Sequence, residues 1–117
     1  MQWTSGGLQG HVRRQLWTGT WNVGGTITVP NGMFYNMFLI FLANAVNDRL
    51  IATRQNRGGT ASSIVGVGGV VSGTIWVNAV RITTNNNSWT LQGCRTGAIN
   101  NPGGESNVAV TRIDGII

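Results

Sequence analysis

The feature that most constrains this fold is an apolar run over residues 33–43, Met-Phe-Tyr-Asn-Met-Phe-Leu-Ile-Phe-Leu-Ala, which only Asn36 interrupts. Successive side chains of a β-strand point to opposite sides, so a strand with one wet face alternates apolar and polar residues. Here both alternating sets are apolar. A single small domain offers one hydrophobic core. We therefore expect one face of this strand to pack in the core and the other, with Met37, Leu39 and Phe41, to meet another subunit.

The composition predicts a folded, soluble protein. Charged residues make up 9% of the chain, against roughly 25% in an ordinary soluble domain. Five Trp and three Phe argue against intrinsic disorder. The apolar run is shorter than the roughly 20 residues that a membrane-spanning helix needs, and residues 1–6 do not resemble a signal peptide. We therefore expect no membrane insertion.

The positive charge of the chain is scattered. The net charge of +5 arises from eight Arg and no Lys, and only Arg13 and Arg14 are adjacent. Nucleic-acid-binding domains usually carry a basic stripe, so we expect no nucleic-acid partner. Cys94 is the single cysteine, which excludes an intramolecular disulfide and makes a cysteine-based metal site unexpected.

Strand signals separated by glycine-rich turns run along the chain, and no segment shows a sustained helical period. The predicted strands cover residues 15–21, 26–29, 33–43, 49–55, 62–67 with 70–71, 74–83, 88–95 and 107–113, with a long polar loop over 97–106. Seven or eight short strands at this spacing predict an all-β, antiparallel fold of the β-sandwich or jelly-roll type. We expect residues 15–117 to form this one domain, and residues 1–14 to be an N-terminal segment that is flexible or enters from a shaft.

Catalysis finds little support in the sequence. The acids are Asp48, Glu105 and Asp114, far apart along the chain, whereas a glycosidase needs two carboxylates flanking one bond. His11 is the single histidine, and a lone histidine is more often structural or solvated than catalytic. We therefore expect no enzyme activity, no catalytic residue, no metal site and no cofactor.

The glycine-rich segment Gly66-Val67-Gly68-Gly69-Val70-Val71 partly matches a dinucleotide-binding fingerprint. The match fails because Val71 stands at the position of the third glycine and a strand pattern follows where a helix is required. We expect a hairpin or a β-bulge at this segment.

Recognition of a sugar-like ligand is the function that the residue types favour. Amides and guanidinium groups bond hydroxyls, tryptophan faces stack on pyranose rings, and loops on a rigid scaffold commonly carry function. Asparagine also fills turns for conformational reasons alone, which is the competing interpretation at every such position. The candidate contacts are Asn56, Arg57, Asn85, Asn86, Asn87, Trp89, Asn100 and Asn101.

Several short motifs follow one another along the chain: Leu16-Trp17-Thr18-Gly19-Thr20-Trp21 followed by residues 25–30, then residues 50–54, Trp89-Thr90-Leu91 and the ending over 110–117. In this order they resemble the distal domains of bacteriophage and prophage tail-fibre or receptor-binding proteins. The resemblance covers residues 15–117, and the order of the motifs is more specific than any one of them.

The resemblance implies a homotrimeric, mostly β domain at a fibre tip that binds a bacterial surface receptor, and it assigns no catalytic residues. The expected partners are a surface glycan or an outer-membrane protein, together with other virion tail proteins. The expected location is the virion tail or a surface appendage, after synthesis in the bacterial cytoplasm.

Two alternatives remain open at this point. Tail fibres are long, and this sequence shows no coiled-coil or β-helical shaft, so the chain is either an excised tip or a short separate virion protein. A structural role in capsid decoration or a tail knob, without receptor binding, is therefore the first alternative. A polysaccharide depolymerase is the second and weaker one.

Overall fold

The structure is a computed structural model that describes residues 13–43, 49–55, 61–71, 75–98 and 106–117. These residues form strands and one short 3-10 turn at Gly32–Phe34, and no helix among them is long and apolar enough to cross a membrane. The strands are β1 (Arg13–Trp21), β2 (Thr26–Thr28), β3 (Met37–Leu42), β4 (Arg49–Gln55), β5 (Ala61–Val71), β6 (Ile75–Asn85), β7 (Ser88–Ala98), β8 (Ser106–Asn107) and β9 (Val110–Ile116).

One antiparallel sheet contains all of these strands. Its strand order is β1-β9-β3-β4-β5-β6-β7-β2, and the short strand β8 also pairs with β7. Strands β3 to β7 follow one another as neighbours, whereas β9 returns to lie between β1 and β3. The prediction of an all-β, antiparallel fold is confirmed. The sandwich or jelly-roll arrangement is not confirmed, because hydrogen bonds join the described strands into a single sheet.

The sheet curls until it is nearly closed into a barrel. Its edge strands β1 and β2 are consecutive in sequence and are joined by residues 22–25 alone, which keeps their adjoining ends close. This short connection is fixed to β7, because the Gly24 N–H donates to the Leu91 carbonyl at 2.8 Å and the Leu91 N–H donates to the Gly25 carbonyl at 3.1 Å. Side chains facing the inside of the curled sheet therefore share one core.

The core is built from the alternate residues that point inward along each strand. Inward residues of β3 are Phe38, Ile40 and Leu42, and all are buried. Their outward neighbours are Met37, Leu39 and Phe41, of which Met37 is exposed and Leu39 is buried. The other fully buried apolar side chains include Trp21, Val29, Ile64, Val80, Ile82, Trp89, Leu91, Cys94, Val110 and Ile113.

Three sequence-based expectations about local structure are wrong. Residues 33 and 34 belong to the 3-10 turn, so the apolar strand begins only at Met37. Strand β7 continues through Gly97 to Ala98, where a loop was expected. The glycines 66, 68 and 69 lie inside an uninterrupted strand that pairs with β6 without any register shift, so they make neither a hairpin nor a bulge.

Close packing of the strands explains the glycine at position 66. A Cβ atom there would lie 2.6 Å from the Ile51 carbonyl oxygen and 2.8 Å from the Ala52 Cα. These obstacles are backbone atoms of the neighbouring strand β4, which cannot move without breaking the sheet. Glycine is thus required for the approach of β5 to β4.

Candidate binding surface at the loop end

One end of the sheet, which we call the loop end, carries the residue 29–36 connection from β2 to β3 and the Asn85–Ser88 hairpin from β6 to β7. The connection turns sharply because Asn31 adopts a left-handed conformation with φ 63°, which asparagine tolerates better than most residues. Gly32 then passes so close to the indole of Trp89 that an added Cβ would lie 2.6 Å from its ring. The connection, which we also call the loop, therefore packs directly against the core.

Arg54 holds this connection in place from the inside of the sheet. Its backbone N–H donates to the Asn36 carbonyl at 2.8 Å. Its guanidinium group donates to the carbonyls of Tyr35 (3.0 Å, from Nε) and Gly32 (2.9 Å, from Nη2). Arg54 thus fixes three carbonyl groups of the loop, two through its side chain and one through its backbone N–H.

Two hydroxyl groups complete the surroundings of the Arg54 guanidinium. Its Nη1 donates to Ser62 Oγ at 2.7 Å and to Thr84 Oγ1 at 3.1 Å, and the two hydroxyl oxygens lie 2.7 Å from each other. The guanidinium carbon lies 5.6 Å from the centre of the Phe38 ring and 5.9 Å from that of Trp89, within the range of cation–π attraction. Side chains of the four strands β3, β5, β6 and β7 therefore surround the cation that β4 carries.

Neutral groups alone stabilise this charge among the described residues. Partial burial lowers the pKa of Arg54 from its ordinary value, because desolvation disfavours the charged form. The one acid in the described ranges, Asp114, lies elsewhere and is held by Arg13 (3.1 Å) and Arg112 (2.8 Å). An arginine stays charged near neutral pH even so. Arg54 is a structural cation that locks the loop end.

The locked connection presents large apolar side chains to solvent. Phe34 and Met33 of the connection are 74% and 47% exposed. Met37 of β3 and Ile117, which line a groove together with Phe34, are 41% and 62% exposed. A groove of about 460 Å³ is lined by residues 34–37 together with Ile116 and Ile117. An exposed aromatic at the rim of a groove is typical of a binding surface rather than of a folding requirement.

The asparagine hairpin is bonded to the connection that carries Phe34. Asn86 has φ 57° at the turn, so the conformational explanation for asparagine applies to it. Asn87 ties the hairpin to the loop: its side-chain oxygen accepts from the Met33 N–H at 3.2 Å, and its carbonyl accepts from the Val29 N–H at 2.8 Å. Asn85 and Asn86 have exposed side chains.

The prediction that Trp89 contacts a ligand is wrong. Its side chain is completely buried, it packs edge-on against Phe38 with ring centres 5.1 Å apart, and its Nε1 donates to the Asn86 carbonyl at 3.2 Å. No face of the indole is open to a sugar ring. Trp89 supports the hairpin from below instead.

The remaining predicted site residues divide into two groups. Asn56, Arg57, Asn100 and Asn101 lie outside the described residues. Met37, Leu39 and Phe41, expected at a subunit interface, do share the outer face of β3, but Leu39 is 9% exposed and Phe41 is half-buried. The Arg112 guanidinium covers the Phe41 ring at 5.0 Å.

The sequence did not lead us to predict Arg54 or Phe34 as residues of the binding surface. A signal for Arg54 was present, since it falls on the same alternation as Leu50 and Ala52, the inward residues of β4. An arginine on the apolar side of a strand indicates a buried cation. Phe34 was hidden by its place in the apolar run, because nothing in the spacing showed that the strand begins after it.

Metal-ligating and nucleophilic side chains are few among the described residues. No group of three His, Cys, Asp or Glu within these ranges could hold a metal ion. Burial raises the pKa of the Cys94 thiol to about 11, which makes it a poor nucleophile near neutral pH. His11, Asp48 and Glu105 lie outside the described residues.

No protein family, curated protein or solved structure matches the chain. The arguments for function therefore rest on the sequence motifs and on the geometry of the surfaces.

Proposed function

We propose that this chain is a receptor-binding domain of a bacteriophage tail fibre that contacts its receptor through the loop end, without catalysis. The observation that carries the proposal is the side chain of Phe34, 74% exposed on a turn whose backbone is held by Arg54. A rigid scaffold that displays an exposed aromatic beside amide side chains suits recognition of a glycan or a protein surface. The resemblance of the ordered motifs to tail-fibre tips supports the bacterial surface as the target.

The outer face of β3 and β4 is the surface that we assign to assembly into a homotrimer. Met37 and Ile51 are 41% and 47% exposed there, and Ile51 pairs with Leu39 across the two strands. Burying such side chains between subunits removes apolar surface from water, which favours association.

Adsorption to bacteria tests the receptor-binding role. Fluorescently labelled protein is incubated with a panel of bacterial strains, and cell-bound fluorescence is measured for the unmodified chain, Phe34→Ala and Val23→Ala. Val23 is an exposed apolar residue in the connection between β1 and β2, away from the loop end, and serves as the matched control. We expect Phe34→Ala to abolish adsorption and Val23→Ala to preserve it. Equal loss in both variants, or no adsorption by the unmodified chain, would refute the proposal.

Light scattering coupled to size-exclusion chromatography tests the assembly separately. We expect a trimer that Ile51→Asp dissociates, because an unpaired charge in a dry interface costs several kcal/mol. Thr20→Asp places the same charge on an exposed position of β1 and should leave the trimer intact. A stable trimer that adsorbs to no strain would support the alternative role as a structural virion protein, and a stable monomer would remove the assembly argument.

A further inference from the structure

The turn that leads to Phe34 contains a chemically labile pair of residues. Asn31 and Gly32 form the one Asn-Gly pair of the chain. Such a pair reacts readily in an unfolded peptide, because glycine has no side chain to keep its backbone nitrogen away from the neighbouring amide. Asn31 is exposed in the fold, and its side chain makes no capping hydrogen bond to the turn. The reactive amide is therefore within reach of water.

The reaction is a deamidation that needs water alone as co-reactant. The Gly32 backbone nitrogen loses its proton and attacks Cγ of Asn31. The new C–N bond closes a five-membered imide, the Cγ–Nδ2 bond breaks, and Nδ2 leaves as ammonia. Water then opens the imide at one of its two carbonyl carbons. Opening at Cγ leaves aspartate, whereas opening at the backbone carbon leaves isoaspartate, with one extra methylene group in the main chain.

Hydrogen bonds of the folded turn block the first step. The N–H of Gly32 donates to the Val29 carbonyl at 3.0 Å, and Gly32 is buried, so the attacking nitrogen is neither free nor open to a base. The Gly32 carbonyl accepts from Arg54 Nη2 at 2.9 Å. The carbonyl of Asn31 accepts from the Phe34 N–H at 3.1 Å. Both residues of the labile pair are thus held by their main-chain groups.

Close packing also keeps Gly32 from moving toward the Asn31 amide. A Cβ added at Gly32 would lie 2.6 Å from the Trp89 ring and 3.0 Å from Val29 Cγ1, so there is no spare room around this residue. The turn must therefore lift away from the core before the reaction can begin, and lifting breaks the bond to Arg54. Local opening of this kind costs less free energy than unfolding of the whole protein.

We propose that Asn31 is a deamidation site that the hydrogen bonds of Arg54 keep closed, so that opening of the loop end sets the rate of the reaction. The inference concerns the chemistry of the turn and does not depend on what Phe34 binds. Isoaspartate cannot return to the original packing, because it lengthens the main chain beside Gly32, where a methyl group does not fit. Its formation therefore releases the loop end permanently.

Incubation of the full chain in mildly alkaline buffer tests the proposal, with mass spectrometry of proteolytic peptides to follow the loss of Asn31. We expect the folded protein to react about tenfold more slowly than the urea-unfolded chain, or slower still, because only its small open fraction can react. Asn36, exposed in the same connection but followed by the large Met37, is the internal comparison and should react slowly in both states. Equal rates at Asn31 in folded and unfolded protein would overturn the proposal.

Variants show whether Arg54 sets the rate. Arg54→Met should speed the reaction of the folded protein about tenfold or more and leave that of the urea-unfolded chain unchanged. Thr84→Val removes one hydroxyl partner of Arg54 and should speed the folded reaction less. Val110→Ala trims the core at the end of β9 that lies away from Met37, and should change the rate by less than about twofold. Equal acceleration by Val110→Ala and Arg54→Met would show that the reaction follows global unfolding.

The isoaspartate product tests the permanent release of the loop end. Deamidation adds a negative charge, so ion exchange separates the aged protein from the unreacted protein, and peptide mapping identifies the isoaspartate fraction. We expect this fraction to unfold at a lower urea concentration than the unreacted protein. An isoaspartate form as stable as the unreacted protein would show that the turn accommodates the longer main chain, and would overturn this part of the inference.

Discussion

The inside of the curled sheet is polar at two places that differ in how their polar groups are satisfied. At the loop end, Arg54 finds carbonyl and hydroxyl partners at 2.7–3.1 Å. Toward the opposite end, Asn78 and Thr96 face each other across β6 and β7, and Asn78 Nδ2, Asn78 Oδ1 and Thr96 Oγ1 are buried without a hydrogen-bond partner in the part of the chain that the structure describes.

The contrast shows what a buried polar group contributes in each setting. A fully bonded network fixes one geometry and holds the exposed loop in place, although it involves a desolvated charge. A buried polar group without a partner carries its desolvation cost, about 1–3 kcal/mol, with nothing to offset it. We therefore expect the loop end to be the rigid part of the core and the Asn78–Thr96 region to be its least stable part.

Removing Arg54 should produce the largest effect. We expect Arg54→Met to lower the free energy of unfolding by about 3 kcal/mol or more, because the loop carbonyls lose hydrogen bonds to a charged donor. Urea denaturation measures the change. Arg14→Met, at an exposed position of β1, is the matched control and should alter stability by less than about 0.5 kcal/mol. A loss below 1 kcal/mol for Arg54→Met would mean that the network does not hold the loop.

Adding one methyl group to Gly32 should have the next largest effect. The new Cβ would lie 2.6 Å from the Trp89 ring and 3.0 Å from Val29 Cγ1. Trp89 cannot shift easily because it packs against Phe38, so we expect a loss of about 2 kcal/mol from overpacking. Gly93→Ala is the comparison, since its Cβ meets nothing within 4 Å. Similar thermal denaturation midpoints for the two variants would show that the loop end is loosely packed.

The same substitution at two threonines should change stability in opposite directions. Thr84→Val removes a hydroxyl that bonds Arg54 and Ser62, and we expect it to destabilise the protein by about 1–2 kcal/mol. Thr96→Val removes a buried hydroxyl without a described partner, and we expect stabilisation by up to about 1 kcal/mol. Urea denaturation of both variants measures these two changes in the free energy of unfolding. Destabilisation by Thr96→Val would show that this hydroxyl is bonded after all.

The reactivity of the Cys94 thiol should show the smallest and most local effect. Its thiol lies inside the sheet two residues from Thr96, and burial raises its pKa to about 11. We expect an aromatic disulfide reagent to leave the native protein unlabelled at pH 8 while labelling the urea-unfolded chain. Because the folded pKa exceeds the ordinary value of 9.0, the unfolded thiol loses its proton first, so the free energy of unfolding should fall as the pH rises from 9 to about 11 and should stay lowered above that. Rapid native labelling would show that solvent reaches the Asn78–Thr96 region.

The sequence allowed the class of fold to be predicted but not the arrangement of its strands. Alternating residues correctly placed Phe38, Ile40 and Leu42 on the core side of β3. Alternation cannot tell which strands become neighbours, so a sandwich was expected in place of one nearly closed sheet. The position of β9 between β1 and β3 depends on pairings such as Arg13 with Ile116, which no local pattern encodes.

The candidate site was predictable only in part, for a similar reason. Asn85 and Asn86 were recognised as a turn, and they are exposed there. Trp89 was expected at the surface because it follows this turn, yet its burial depends on contacts with Gly32 and Phe38 from distant parts of the chain. The exposure of Phe34 likewise follows from a turn that Arg54 holds in place. Burial is set by tertiary contacts, and a single sequence reveals these poorly.

The place of β9 has a consequence for how the molecule forms. Neither β1 nor β3 can complete its hydrogen bonds until the last strand inserts between them. During synthesis on the ribosome, the edges of β1 and β3 that pair with β9 therefore stay unpaired until β9 has been made. Folding that depends on pairings between distant parts of the chain is slow. Meanwhile the unpaired strand edges are exposed to other chains and can aggregate with them. Newly made protein should consequently need a chaperone, or prompt assembly into the proposed trimer, to avoid aggregation.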